Sequence, residues 1–233
     1  MEPFRTLTSV AAPLPESDID TDIIFPARFL LLLDKKGLGE LLFNERRRNR
    51  TGNEVRFVLD QPTYARAQIL VTGARFGTGS SREQAVWALA EFGIRCVMAP
   101  SFGEIFFANC YKNGVLPVVV SETDHADIMA EAHVAKPLAI DLAAQCVRLD
   151  GGRTIPFAID AYRKRALLLG LDDIGAVLAD DSADIASFEA RQRERSPWLY
   201  LSADNLAHFA DLGEQAGQAD APIARVAGKE THS

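Results

Sequence analysis

The stretch QILVTGARFGTGSSREQAVWALAEFGIRCVMAPSFGEIFFANCYKNGVLPVVV (68–120) decides the fold. QILVTG (68–73) is a short apolar run ending in glycine, which reads as a strand, and GARFGTG (73–79) is a tight glycine-rich turn. In SSREQAVWALAEFG (80–93), Val86, Leu89 and Phe92 recur at spacings of three beside Ala85 and Ala90, predicting a helix that Gly93 stops. Ser80 and Glu83 have the spacing of a capping box. IRCVMA (94–99) reads as a second strand. Ser101 with Glu104 makes another capping box, opening a helix to about Tyr111 that closes at Asn113-Gly114. VLPVVV (115–120) is a third strand, and its Pro117 predicts a sheet edge or a strand end. Three strands alternating with two helices predict parallel pairing with right-handed crossovers, so the fold class is α/β.

Upstream, DIDTDIIFPARFL (18–30) is an acidic loop followed by an apolar stretch. Four leucines (30–33), a turn at Gly37 and Gly39, a polar loop over 44–54 and the strand-like VRFVLD (55–60) complete the first part. Downstream, LAIDLAAQCVRLDGGRTIPFAI (138–159) reads as a hairpin turning at Asp150-Gly151-Gly152, followed by a helix over 161–170. From about residue 203 the chain is rich in Ala, Asp, Gln and Gly with little apolar periodicity. This predicts one domain over 1–204 and a disordered or weakly ordered tail over 205–233.

Composition excludes several classes of function. With 32 acidic against 25 basic side chains the net charge is −7, unlike the clustered positive charge that nucleic-acid binding requires. The one basic cluster, Arg46-Arg47-Arg48 with Arg50, reads as a solvated loop. Cys96, Cys110 and Cys146 are odd in number, far apart and without a CxxC pair, which argues against a disulfide framework, a zinc site or an iron–sulfur cluster held by this chain alone. Cys96, in the apolar run IRCVMAP, reads as a buried, inert thiol. The N-terminus lacks a signal-peptide pattern and no apolar run approaches membrane-spanning length. A soluble protein of a reducing cytoplasm, with no membrane and no nucleic-acid partner, is expected.

The chemistry concentrates on the glycine turn. A glycine-rich loop between strand and helix exposes backbone N–H groups at a helix's positive end, so Gly77, Thr78 and Gly79 form a candidate backbone anion site. Arg75 and Arg82 add guanidinium groups able to fork onto a carboxylate. The loop lacks the Gly-Lys-Ser/Thr ending of a Walker A motif, and Arg82 stands where a dinucleotide fingerprint needs its third glycine. The expected ligand is therefore a small carboxylate or phosphate. Ser80 reads either as a helix N-cap or as a catalytic oxygen whose alkoxide is stabilised by N–H donors, a helix dipole and an arginine. Local sequence does not decide between the two.

These residues carry a resemblance. FGTGSSREQAVWALAEFGIRCVMAPSFGEIFFANCYKNGVLPV (76–118) closely resembles the aconitase swivel-domain family, in particular the free-standing small subunits of 3-isopropylmalate dehydratase. DIDTDIIFPARFL (18–30), GLGELLFNERR (37–47) and IDAYRKRALLLGLDDIG (159–175) match further family signatures in order, so the likeness covers about residues 5–200. It implies a swivelling β/β/α domain without a cofactor of its own. Such a domain closes over a large subunit that bears a [4Fe–4S] cluster, and the pair interconverts 2- and 3-isopropylmalate through isopropylmaleate in leucine synthesis. By the family pattern Ser80 is the base, Ser81 and Arg82 bind substrate carboxylate, and Asp22 orients a histidine of the large subunit.

Specificity rests on a separate feature. Residues 29–34 are Phe-Leu-Leu-Leu-Leu-Asp, with no basic residue before Lys35; Leu31, Leu32 and Leu33 would form an apolar wall suited to a branched alkyl group and hostile to a third carboxylate. Three departures from the family pattern stand out: Thr78 replaces a cysteine, Gln84 replaces a histidine, and Ala74-Arg75 replaces Glu-Asn or Lys-Asn. Gln84 cannot titrate, and Arg75 adds a cation beside the site, where it is expected to contact substrate. A second reading therefore keeps the chemistry and moves it to a related diacid such as citraconate or a substituted maleate. A third, a non-catalytic anion-binding subunit, is disfavoured because Ser80, Ser81, Arg82 and Asp22 are present as a set.

Overall fold

The computed structural model describes residues 1–31, 36–48 and 57–200. Its framework is the strand series that the glycine stretch predicts, with one further strand at the centre. β1 (Thr6–Leu14) pairs on one side through its second half with β2 (Ile69–Thr72), in parallel. Its first half pairs antiparallel with β5 (Pro137–Asp141). β3 (Cys96–Ala99) and β4 (Leu116–Val119) continue the parallel side, while β6 (Cys146–Arg148) and β7 (Thr154–Pro156) continue the antiparallel side. The order is β4-β3-β2-β1-β5-β6-β7, so β4 and β7 are the edges and Pro117 lies on one of them, as its missing N–H requires.

The parallel strands are continuous apolar runs because both faces are covered. Strand alternation divides them between two cores. Leu14, Leu70, Val97 and Ala99 face one side with Val86 and Leu89, while Ile69, Val71, Cys96 and Met98 face the other with Ile128 and Leu138. Each fully buried Leu, Ile or Val stabilises by roughly 1.5–3 kcal/mol. The first face is covered by α1 (Thr21–Ile24) and α3 (Glu83–Phe92), with the short α2 (Asn44–Arg47) beside α1, and α4 (Glu104–Lys112) crosses from β3 to β4. α5 (Glu122–His133), capped by the Ser121 hydroxyl, packs against β1 and β2. α6 (Ala161–Leu169) is capped by Asp160, and α7 (Asp173–Arg195) has Ala176 as its one buried residue. By its internal contacts the chain divides into two compact units, Met1–Val177 and Leu178–Ser233. The expected tail, 205–233, lies outside the described residues.

Several sequence expectations give way to tertiary packing. The hairpin predicted over 138–159 is a three-stranded meander: the turn at 150–152 is present, and a second turn precedes Cys146, where Gln145 takes a left-handed conformation. Residues 44–47 of the expected loop are helical, and Val58–Asp60 of the expected strand is a 3-10 turn. Arg47 is not simply solvated. Its guanidinium pairs with Asp60 and donates to the carbonyls of Gly39, Glu40 and Leu42, holding that turn together.

The glycine turn and the loop beside it leave no room for side chains at several points, Gly73, Gly77 and Gly103 among them. Gly77 has φ +75°, and a Cβ there would lie 2.2 Å from the ring of Phe106. A Cβ on Gly103 would lie 2.3 Å from the Gly77 carbonyl oxygen. Gly77→Ala combines overpacking with a left-handed backbone, so we expect a loss of about 2–4 kcal/mol, measured by urea denaturation of the purified chain.

Candidate functional site

β1, β2 and β3 run parallel and end side by side at Leu14, Thr72 and Ala99, so the loops that follow them gather at one end of the sheet. That is the end at which α/β sheets bind ligands. The loops continue the ladder beyond the strands. The Gly77 N–H donates to the Ile19 carbonyl (2.7 Å) and the Thr21 N–H to the Thr78 carbonyl (2.9 Å). On the other side the Phe76 N–H donates to the Ser101 carbonyl (3.2 Å) and the Gly103 N–H to the Phe76 carbonyl (2.8 Å). The glycine loop is thus the middle of three, held over a floor in which Phe76 meets Phe106 edge-on at 5.3 Å.

Period-two alternation in Asp18-Ile19-Asp20-Thr21-Asp22 turns Ile19 and Thr21 inward and leaves Asp18 and Asp22 at the surface. Asp20 caps α1 by accepting from the Ile23 N–H (2.8 Å). The buried Thr21 hydroxyl donates to the Ser80 carbonyl at 3.0 Å. Alternation was the signal that could have exposed Thr21 as a structural contact of the glycine loop.

Ser80 and Ser81 are both exposed. α3 begins only at Glu83, with Arg82 at the cap position and no side-chain cap, so the N-cap reading of Ser80 does not hold. Glu83 closes no capping box either: its carboxylate accepts from Asn113 Nδ2 (2.8 Å) and Trp87 Nε1 (3.3 Å), tying α3 to the end of α4. Ser101 is likewise no cap; its hydroxyl accepts from the Arg75 N–H at 2.9 Å, while Gly103 precedes α4. For Glu83 and Ser101 long-range bonds won over local caps. Among the described residues no acceptor engages the backbone N–H groups of Gly79, Ser80 or Ser81, whereas the Gly77 N–H is taken by Ile19. Gly79 of the expected Gly77–Thr78–Gly79 set is among the open donors, with Ser80 and Ser81 beyond it.

The two arginines bind carboxylates of this chain. Arg82, its side chain only 11% exposed, pairs with both oxygens of Asp22 and reaches the Phe25 carbonyl at 3.4 Å. The Arg82 guanidinium, first by hydrogen bonding and then by its charge, holds the Asp22 carboxyl below the usual carboxylate range, helped by the Ala27 N–H. Arg75 forks onto Asp18 in the same way, and that hydrogen-bonded guanidinium lowers the Asp18 carboxyl. The guanidinium expected to reach substrate from Arg75 is therefore engaged between the two loops. A cleft of about 410 Å³ opens beside Asp22, lined by Asp20, Ile23, Pro26, Ala27 and Arg28 among others. Leu31 is 90% exposed and is not a core residue; Leu32 and Leu33 lie outside the described residues.

The thiols offer no metal centre. Cys96, Cys110 and Cys146 are buried and free; burial pushes the Cys96 and Cys110 thiols well up, holding them protonated. Among the described residues no three His, Cys, Asp or Glu side chains converge to hold a metal.

Comparison with known proteins accords with this geometry. Residues 1–123 match the aconitase C-terminal domain, 127–161 the family described as LeuD_N, and 173–202 the C-terminal domain of the 3-isopropylmalate dehydratase small subunit. The 3-isopropylmalate dehydratase small subunits of Parvibaculum lavamentivorans and Paramagnetospirillum magneticum are each 48% identical over 202 residues, covering 85% of this chain and all of theirs. The chain belongs to the 3-isopropylmalate dehydratase small-subunit family. The crystal structure of a 3-isopropylmalate dehydratase from Methanocaldococcus jannaschii has the same fold, with a TM-score of 0.58, 23% identity, and coverage of 78% of this chain and 99% of that one. As a small subunit of a two-subunit hydro-lyase of leucine biosynthesis, the chain implies a large-subunit partner. No helix among the described residues is long and apolar enough to cross a membrane.

The Asp22–Arg82 pair of this small subunit gives a signed prediction. A carboxyl whose folded pKa is depressed stabilises the fold above its unfolded value of about 3.9 and ceases to do so as pH falls through the folded value. Because Asp22 is 57% exposed, solvent screens the pair and its contribution stays below about 1 kcal/mol. In a carbon-detected NMR titration Asp22 should therefore titrate below the ordinary carboxylate range, and Arg82→Gln should return it there.

Proposed function

We propose that this small subunit supplies the base of isopropylmalate isomerisation and closes the active site of a cluster-bearing large subunit. The observation that carries the reading is the exposed Ser80, set on a loop whose next open backbone N–H groups have no acceptor among the described residues, at the ligand-binding end of the sheet. A serine hydroxyl is a weak base in water. Open N–H donors and the positive end of α3 lower the cost of its alkoxide.

In the elimination direction the Ser80 alkoxide takes a proton from the carbon adjacent to the one bearing the hydroxyl. The C–H electron pair becomes the new double bond of isopropylmaleate, and hydroxide departs. Readdition at the other carbon, with the proton returned from Ser80, completes the exchange. A [4Fe–4S] cluster on the large subunit supplies the Lewis acid for the hydroxide, a role for which this chain's buried thiols are unsuited. Ser81 and the Arg82 corner bind substrate carboxylate, and Asp22, ionised at neutral pH, is poised to accept a hydrogen bond from a histidine of the partner. A cytoplasmic location suits three unpaired thiols.

The apolar wall at 31–33 selects the branched alkyl group. A leucine exposed as Leu31 is has no packing reason for its position, and closure over a substrate and partner would cover it. The departure at Arg75, which opened the reading of a different diacid, is absorbed by Asp18 within the chain, so it adds little net charge toward the substrate. Isopropylmalate is accordingly favoured over citraconate and citrate.

Co-expression with candidate large subunits, followed by anaerobic assay on isopropylmalate, citraconate and citrate, tests the substrate; preferred turnover of citrate would overturn the apolar-wall argument. In the active pair, Ser80→Ala should lower kcat by about 10³-fold or more while leaving the melting temperature and assembly unchanged. Near-normal kcat would remove Ser80 as the base.

A further inference from the structure

We infer that Thr21 is a positioning residue for the reaction, and that its hydroxyl aims the Ser80 oxygen by fixing the carbonyl of the same residue; this rests on the reading of Ser80 as the base. Three observations meet at Thr21. It is 2% exposed at the first position of α1, between the capping Asp20 and the exposed Asp22. Its backbone N–H donates to the Thr78 carbonyl at 2.9 Å, and its hydroxyl donates to the Ser80 carbonyl at 3.0 Å. The same hydroxyl is the nearest atom to the position a Cβ on Gly79 would occupy, at 3.4 Å, so the loop is seated directly on it.

The two bonds hold the carbonyls on either side of Gly79 and Ser80 against the acidic loop. With those carbonyls fixed, the peptide planes between them are fixed too, and the N–H groups of Gly79, Ser80 and Ser81 are the ones without an acceptor among the described residues. A loop of this kind needs such a constraint. Gly77 and Gly79 both take positive φ, so the turn has intrinsic freedom that only its neighbours remove. Ser80 precedes the first helical residue by three positions, beyond the reach of the α3 hydrogen-bond ladder. Without the hydroxyl of Thr21 the Ser80 carbonyl loses that donor, while the loop's other anchors at Gly77, Phe76 and Gly103 remain. The expected defect is therefore misaim rather than unfolding, and a displacement of order 1 Å at a reacting atom costs roughly 10²-fold in rate.

The test uses the small subunit assembled with an active large subunit. Thr21→Val keeps the shape and removes the hydroxyl; kcat on isopropylmalate should fall about 10- to 100-fold, with KM changed less than about threefold and an unchanged melting profile. Thr21→Ser keeps the hydroxyl and removes the methyl, and should recover kcat to within about threefold. If Thr21→Ser is as impaired as Thr21→Val, packing of the methyl is the cause and the inference fails. Should Thr21→Val not assemble, Thr21→Ser against Thr21→Ala gives the same comparison. Ser80→Ala, measured alongside, separates the two claims: full activity there removes the base assignment, whereas its loss together with normal kcat in Thr21→Val removes Thr21 alone.

Discussion

The backbone ladder that runs past the ends of the parallel strands is the constraint on which the rest depends. Strands β1, β2 and β3 would otherwise release three independent loops, and each would sample its own conformations. Instead the glycine loop accepts and donates bonds on both sides, to Ile19 and Thr21 in one direction and to Ser101 and Gly103 in the other. So close an approach is possible only because the Gly77 and Gly103 backbones carry no Cβ. The exposed Ser80 is thereby held on rigid sheet ends rather than on a floppy turn, the kind of support that the proposed base would need.

Electrostatics follows the same geometry. In the isolated chain each arginine of the glycine loop is matched by an acid of the neighbouring loop, Arg82 by Asp22 and Arg75 by Asp18. Neither cation is left unneutralised, and neither pair is deeply buried, so the desolvation penalty that makes interior ion pairs expensive is largely absent. The two pairs also tie the acidic loop to the glycine loop by side chains, beside the backbone bonds that already join them. The charges around the glycine loop are thus balanced, and the N–H groups of Gly79, Ser80 and Ser81 are left without an acceptor among the described residues.

Much of this was legible in the residues. The alternation of apolar runs and helical spacings over 68–120 predicted the parallel strands and their two helices, and Pro117 its place at an edge. The family signatures around Asp22 and Ser80 brought together two loops that the structure indeed joins. What failed was local. Ser80 with Glu83 and Ser101 with Glu104 have capping spacing, yet Glu83 is taken by Asn113 and by Trp87 one turn along, and Ser101 by the Arg75 N–H; Asn113 and Arg75 lie far away in sequence. β1 was unreadable for a related reason. It pairs in opposite senses along its two halves, so its sequence satisfies two different neighbours at once. Apolar periodicity is weak in α5 and α7 beside that of α3, so the Ser121 cap was the local signal for α5.

The outermost strands have one more consequence. Both carry a proline, Pro117 in β4 and Pro156 in β7, and neither residue has an N–H to offer a foreign strand. At Pro117 the carbonyl is also occupied, accepting from the Tyr111 hydroxyl at 3.4 Å. A seven-stranded sheet open at both ends is a template for edge-to-edge fibre growth, and here each outer strand is interrupted by its proline. The sheet is thereby guarded at both margins against stacking upon another copy of itself.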